Sequence, residues 1–143
     1  APEGMRALDL LAGAGALGLE ALSRGATRCV FVDDHAPSRA LIRRNVEALG
    51  VIGQTKIWRR DATRLGPCRD APFDILFLDP PYRSGLAARA LASARDGGWL
   101  APDALAVVEC AADEPAPAIE GFAPLDARRY GETLLSIFRA AAD

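Results

Sequence analysis

The chain has 143 residues, a net charge of −2 and a composition that is 50% hydrophobic and 25% charged, which fits a single domain with a proper core. The acidic balance argues against tight nonspecific nucleic-acid binding through overall charge, the lack of a long apolar run argues against a helical membrane span, and no secretory signal is expected. Cys29, Cys68 and Cys110 are far apart and odd in number, and His35 is the only histidine, so the expectations are a reducing, cytoplasmic setting, no disulfide framework and no metal site.

Short apolar runs alternate with helical patterns, the order expected of an α/β fold with a mostly parallel sheet. Ala7 to Leu11 reads as the first strand. Gly15 to Arg24 follows as a helix with Leu17, Ala21 and Leu22 on one face, stopped by Gly25. Cys29 to Val32 is the second strand, ending at Asp33. Pro37 opens the next helix, Ile42, Val46 and Leu49 form its apolar stripe, and Gly50 closes it. Lys56-Ile57-Trp58 is a third strand leading to Asp61. Asp74 to Leu78 is a fourth, apolar enough to be central. A helix over about Leu86 to Arg95 is broken by Gly97-Gly98, and Leu105 to Glu109 is a fifth strand. Pro115, Pro117 and Pro124 mark an irregular crossing. The end, about Ala123–Tyr130 and Thr133–Arg139, reads as two strands joined tightly around Gly131, hence antiparallel.

Gly13-Ala14-Gly15-Ala16-Leu17-Gly18 is a GxGxxG between a strand and a helix, where glycines allow a tight turn and close approach to a ligand. Asp33 follows at the spacing of a ribose-binding carboxylate. The pair suits a nicotinamide dinucleotide as well as S-adenosylmethionine, and a merely structural glycine turn has the same pattern. Asp9, just before the glycines, can face a donor's amino-acid part or cap the turn. Asp61-Ala62, at the same sheet edge, can meet an adenine, while an Asp capping a short turn is the plain alternative. His35 reads as a solvent-facing loop residue.

Asp79-Pro80-Pro81-Tyr82 is sharper, at the C-terminal end of the fourth strand, where open α/β sheets bind ligands. An exocyclic amino nitrogen is a poor nucleophile because its lone pair is drawn into the ring. The Asp79 carboxylate and the Pro80 carbonyl can accept its two N–H groups and favour a pyramidal nitrogen. Pro81 restricts Pro80 to an extended backbone and so helps fix that carbonyl. Tyr82 offers a face for an unstacked base, worth roughly 1–3 kcal/mol. Arg83 can hold a substrate phosphate or simply be solvated. A strand ending in a proline turn is the bland alternative, but an acid-Pro-Pro-aromatic run is expected by chance in fewer than roughly one such chain in a hundred. Lys56 is the only lysine, so positive charge is nearly all arginine; this suits local phosphate recognition and follows equally from a GC-rich genome.

These residues resemble the RsmD-type bacterial 16S ribosomal RNA guanine-N2 methyltransferases. The matching stretches are Leu8 to Ala26, Leu78 to Tyr82, Gly98-Trp99-Leu100 and Arg129 to Thr133, in the family's order and across almost the whole chain. Position 11 is Leu where the family usually has Phe, and position 14 is Ala where a small hydroxyl residue is usual; neither change removes a glycine or a carboxylate. The resemblance implies a class I methyltransferase fold, a Rossmann-like three-layer sandwich, in one domain over residues 1–143 that lacks the family's arginine-containing N-terminal segment. It implies S-adenosylmethionine as donor, held by Asp9, Gly13, Gly15, Gly18, Asp33, Asp61, Ala62 and Asp79. It also implies a flipped guanine of small-subunit ribosomal RNA as acceptor, with Asp79 to Tyr82 as the amino-group site. A monomer is expected. A DNA adenine amino-methyltransferase shares the four-residue run, but no added target-recognition segment is evident. A nicotinamide-dependent oxidoreductase leaves Asp79 to Tyr82 unexplained. A donor-binding module without catalysis is the remaining alternative.

Overall fold

The computed structural model describes residues 4–13, 15–81, 84–114 and 118–141. Seven strands form one sheet in the order β3-β2-β1-β4-β5-β7-β6. In chain order the elements are β1 (Arg6–Leu10), α1 (Ala16–Ser23), β2 (Arg28–Val32), α2 (Ala36–Leu49), β3 (Thr55–Trp58), β4 (Phe73–Leu78), α3 (Leu86–Asp96), β5 (Leu100–Ala111), β6 (Phe122–Tyr130) and β7 (Thr133–Ala140). Strands β1 to β5 pair in parallel, and β7 runs antiparallel to both β5 and β6, as the tight turn at Gly131 requires. No described helix is long and apolar enough to cross a membrane.

Alternation along each strand divides the core in two. Leu8, Leu10, Val30, Leu76 and Val108 point to the face covered by α3 and the β3–β4 connection, and Trp99 is part of the same cluster. Phe31, Ile75 and Phe77 point to the other face, where Ala21, Leu22, Ile42 and Val46 of α1 and α2 cover them. Strand β4 lies between β1 and β5, and this central place accounts for its nearly unbroken apolar run. All five parallel strands therefore end at the same edge, and the turns after them can share a site.

The structure changes three local expectations. Leu49 is 63% exposed and lies outside the α2 stripe, which stops at Val46 because Gly50 ends the helix before another buried turn forms. Strand β5 begins at Leu100, not Leu105; its pairing with β4 jumps from Phe73↔Leu100 to Ile75↔Leu105, and Asp103 takes a positive φ of 62° in the interruption. Pro124 lies inside β6 instead of marking a crossing, since β6 is the sheet's last strand and an edge position tolerates the missing N–H. A short 3-10 turn at Ile52–Gln54 precedes β3. Pro115 and Pro117 lie outside the described residues.

Candidate active site

The site is built on the turn after β1. Leu11 leaves the strand with φ 56°, Gly13 follows at φ 58° and Gly15 at φ 79°, and the Gly15 N–H closes the turn on the Ala12 carbonyl at 2.7 Å. Ala14 is outside the described residues. The glycines do different work. Gly18 is where α1 presses on the sheet: a Cβ there would lie 2.6 Å from both the Phe31 ring and the Cys29 Sγ. Around Gly13 a Cβ would meet nothing within 4 Å, so its backbone faces open space at the sheet edge.

Two carboxylates hold this turn. Asp9 is 3% exposed, and its Oδ2 accepts the Gly18 N–H at 3.1 Å, so it caps the first turn of α1 from the strand below. Burial pushes its pKa up to about 8; the Gly18 hydrogen bond opposes this, and the charges of Asp79 and Asp33 add to it. Asp33 is 6% exposed; its Oδ2 accepts from the Gly13 N–H at 3.1 Å and its Oδ1 from the His35 N–H at 2.9 Å. Each oxygen keeps acceptor capacity beyond those bonds. His35 lies at the exposed start of α2, with Nδ1 2.9 Å from Ser38 Oγ.

Asp61 caps a turn: its Oδ1 accepts from the Thr63 N–H at 2.9 Å and the Thr63 hydroxyl at 2.7 Å, and these bonds hold its carboxyl below the usual range. The Ala62 side chain is packed into the core at 1% exposure, which leaves only its backbone for a ligand. Asp79 is exposed directly beyond β4, Pro80 is buried, and the Pro81 carbonyl accepts from the Ser84 hydroxyl at 2.7 Å. Tyr82 and Arg83 lie outside the described residues.

Glu109 was not among the residues expected here from sequence. Pairing of Leu78 with Val108 carries it alongside Asp79, and burial, then the Asp79 charge and hydrogen bond, push its pKa up. An acid directly after the apolar run Leu105 to Val108 was the available signal. Asp9 and Glu109, near the ends of β1 and β5, and Asp33 and Asp79, directly after β2 and β4, thus lie at one sheet edge. Such an edge attracts a cation. Asp9 lies buried against the first turn of α1, with its Oδ2 committed to the Gly18 N–H. Among the described residues no group of His, Cys, Asp or Glu is arranged to hold a metal ion.

A second feature opens toward the β3 side of the sheet. Arg6, Arg28, Lys56, Arg60 and Arg69 line a cleft of about 670 Å³ together with Trp58 and Trp99. The Arg60 guanidinium lies 4.9 Å from the Trp58 ring and 5.6 Å from the Trp99 ring. Asp70, the acid in this lining, is 3.2 Å from Arg6 and 3.7 Å from Arg28.

The sequence pattern of the family described as conserved hypothetical protein 95 matches residues 2–139. The chain is 38% identical over 113 residues to ribosomal RNA small subunit methyltransferase D of Escherichia coli strain K12, covering 78% of this chain and 56% of that protein. It is 35% identical over 115 residues to the enzyme of the same name from Haemophilus influenzae, covering 76% of this chain and 58% of the relative. The chain therefore spans a little over half the length of these curated relatives. Among solved structures, yhhF of Escherichia coli, which carries a provisional methyltransferase name, superposes with a TM-score of 0.87 at 28% identity, covering 100% of this chain and 81% of that one. TrmN from Thermus thermophilus superposes at 0.77 and 26% identity, covering 96% of this chain and 44% of its own. The fold is the class I, Rossmann-like methyltransferase fold with antiparallel C-terminal strands.

Proposed function

The chain belongs to the conserved hypothetical protein 95 family, the RsmD-type family that its motifs resemble, and from that premise we propose that it is an S-adenosylmethionine-dependent methyltransferase acting on the N2 amino group of a guanine in small-subunit ribosomal RNA. The observation that carries the reading is Asp79-Pro80 at the end of the central strand, on the same edge as the glycine turn and the Asp9 and Asp33 carboxylates. A donor with a sulfonium and an ammonium group suits an acidic edge, whereas a nicotinamide dinucleotide brings a pyrophosphate to it.

In this reading the open side of Gly13 and the remaining acceptor capacity of Asp33 receive the donor's ribose, and Asp61, fixed by Thr63, accepts from the adenine amino group. S-adenosylmethionine supplies, when bound, an electrophilic methyl group on sulfur. Asp79 and the Pro80 carbonyl accept hydrogen bonds from the two N–H groups of the guanine amino group, favour a pyramidal nitrogen whose lone pair leaves conjugation with the ring, and hold it toward the methyl. Asp79 then takes the proton that the methylated nitrogen loses. The basic cleft supplies the local cationic surface that an RNA substrate needs on a chain of net charge −2.

Transfer of labelled methyl onto undermethylated small subunits and onto naked ribosomal RNA, followed by mapping of the modified base, tests the reading. Label on a guanine N2 is the expected result, and label on an adenine instead would replace the acceptor assigned here. Thermal stability with S-adenosylhomocysteine and with NAD tests the donor: a ligand at about one hundred times its dissociation constant stabilises by roughly 2.7 kcal/mol. Stabilisation by NAD alone would sink the proposal.

A further inference from the structure

We infer that Glu109 is a positioning residue for Asp79: it donates a shared proton to one Asp79 oxygen and leaves the other oxygen aimed at the acceptor amine. The inference rests on the methyl-transfer reading above. Its geometric basis is independent of that reading. Parallel pairing of β4 with β5 in the register Leu78↔Val108 brings the next residue of each strand side by side. Glu109 and Cys110 line a small cavity of about 120 Å³ with Pro80, Pro81, Ser84 and Glu114, directly against the two prolines that follow Asp79.

Two carboxyls side by side repel each other when both are ionised, which favours a proton shared between them. Burial pushes the Glu109 pKa up first, and the charge and hydrogen bond of Asp79 push it further. The groups facing Glu109 add no compensating cation among the described residues. Asp79 approaches from β4, Cys110 and Glu114 from the chain beyond, and the β7 residue paired with it is Leu135. With Glu109 as the donor of the pair, Asp79 is the acceptor toward substrate.

The proton inventory then balances. The amine nitrogen forms its bond to the methyl carbon as the carbon–sulfur bond breaks, sulfur leaves as a neutral thioether, and the nitrogen becomes cationic. One of its protons passes to Asp79. The pair then holds two protons and returns one to solvent. Glu109 fixes an Asp79 carboxylate that is otherwise exposed beyond the strand end. If Glu109 ionises, repulsion turns Asp79 away from the amine.

The test uses the full chain with Glu109→Gln and Glu109→Ala. Glutamine keeps an N–H donor for Asp79 and cannot ionise, so near-normal kcat is expected, with any alkaline fall in rate that Glu109 causes abolished. Alanine is expected to lower kcat tenfold to a hundredfold, on the order of one hydrogen bond to a charged group, with KM for the donor unchanged. Equal loss in both variants, or none in the alanine variant, would overturn the inference. Carboxyl carbon NMR titration supplies a readout that does not need turnover. Glu109 is expected to titrate above the ordinary glutamate range in the wild type and to move back toward it in Asp79→Asn. An ordinary Glu109 titration that ignores Asp79→Asn refutes the pairing. Absence of methyl transfer with the NMR coupling intact would count against the proposed reaction and leave the pairing standing.

Discussion

Asp9 shows how one side chain can serve structure against its own electrostatics. Its Oδ2 is committed to the Gly18 N–H, yet burial raises its pKa from 3.8 to about 8. A folded-state pKa above the unfolded value means that the folded chain holds the extra proton. The stability this contributes is fully present below pH 3.8 and is lost as pH rises toward 8. Within that window the slope is up to about 1.4 kcal/mol per pH unit. Asp9→Asn retains an oxygen for Gly18 and cannot ionise, so urea midpoints measured across the window should fall less steeply with pH than in the wild type. An unchanged slope would show that Asp9 is not the group responsible. Asp79 belongs to the same scale. Asp79→Ala is expected to reduce methyl transfer by about 10²–10⁴-fold, the worth of a positioned acid or base. Donor binding, followed by calorimetry with S-adenosylhomocysteine, should be nearly unchanged, and retained turnover would remove Asp79 from the reaction.

At the scale of elements, the contact between α1 and the sheet is decided by one missing Cβ. Alanine in a helix is favoured over glycine by about 1 kcal/mol. At position 18 the added carbon would sit 2.6 Å from Cys29 Sγ and Phe31, and 3.0 Å from Asp9 Oδ2, in a fully packed layer. Overpacking costs about 1–3 kcal/mol, so the clash outweighs the propensity and Gly18→Ala is expected to destabilise. Chemical denaturation measures this; a stabilised variant would mean that α1 can move off the sheet freely. At the opposite side of the sheet, β6 is exposed along nearly its whole length. Pro124, the register shift between Pro124 and Asp126, and the charges of Asp126, Arg128 and Arg129 make it a poor template for further strand pairing.

Across the whole molecule, charge is segregated although the net value is small. The acidic side chains Asp9, Asp33, Asp79 and Glu109 share the edge where the parallel strands end, while five basic side chains line the cleft around Trp58 and Trp99. Trp99 is fully buried and its Nε1–H donates to the Gly66 carbonyl at 2.7 Å, which ties the β3–β4 connection to the sheet and holds that cleft in shape. Lys56 and Arg69 are exposed lining residues, so replacing either with alanine removes a charge at little cost to the core. Each substitution should reduce the log–log salt slope of RNA binding by about 0.7, the value for one contact to a single strand. Anisotropy titrations at several salt concentrations read this directly, and an unaltered slope in both would take RNA away from the cleft.

The order of strands and helices, the antiparallel end and the placing of Asp79 beyond a central strand were legible in the chain, because each rests on local periodicity, turn chemistry or a run of adjacent residues. Asp33 and Gly13 were legible as members of a pattern, but the bond between them was not. Nor was the packing of Gly18, the bulge that lengthens β5, the exposure of Leu49 or the partnership of Glu109 with Asp79. Each of these depends on which residues from distant segments meet across a strand register or a helix–sheet contact. Local sequence by itself determined the kinds of element and which polar residues lie at their ends. Tertiary structure decided which carboxylates lose water and which come to lie side by side, because burial and pairwise charge are properties of neighbours in space.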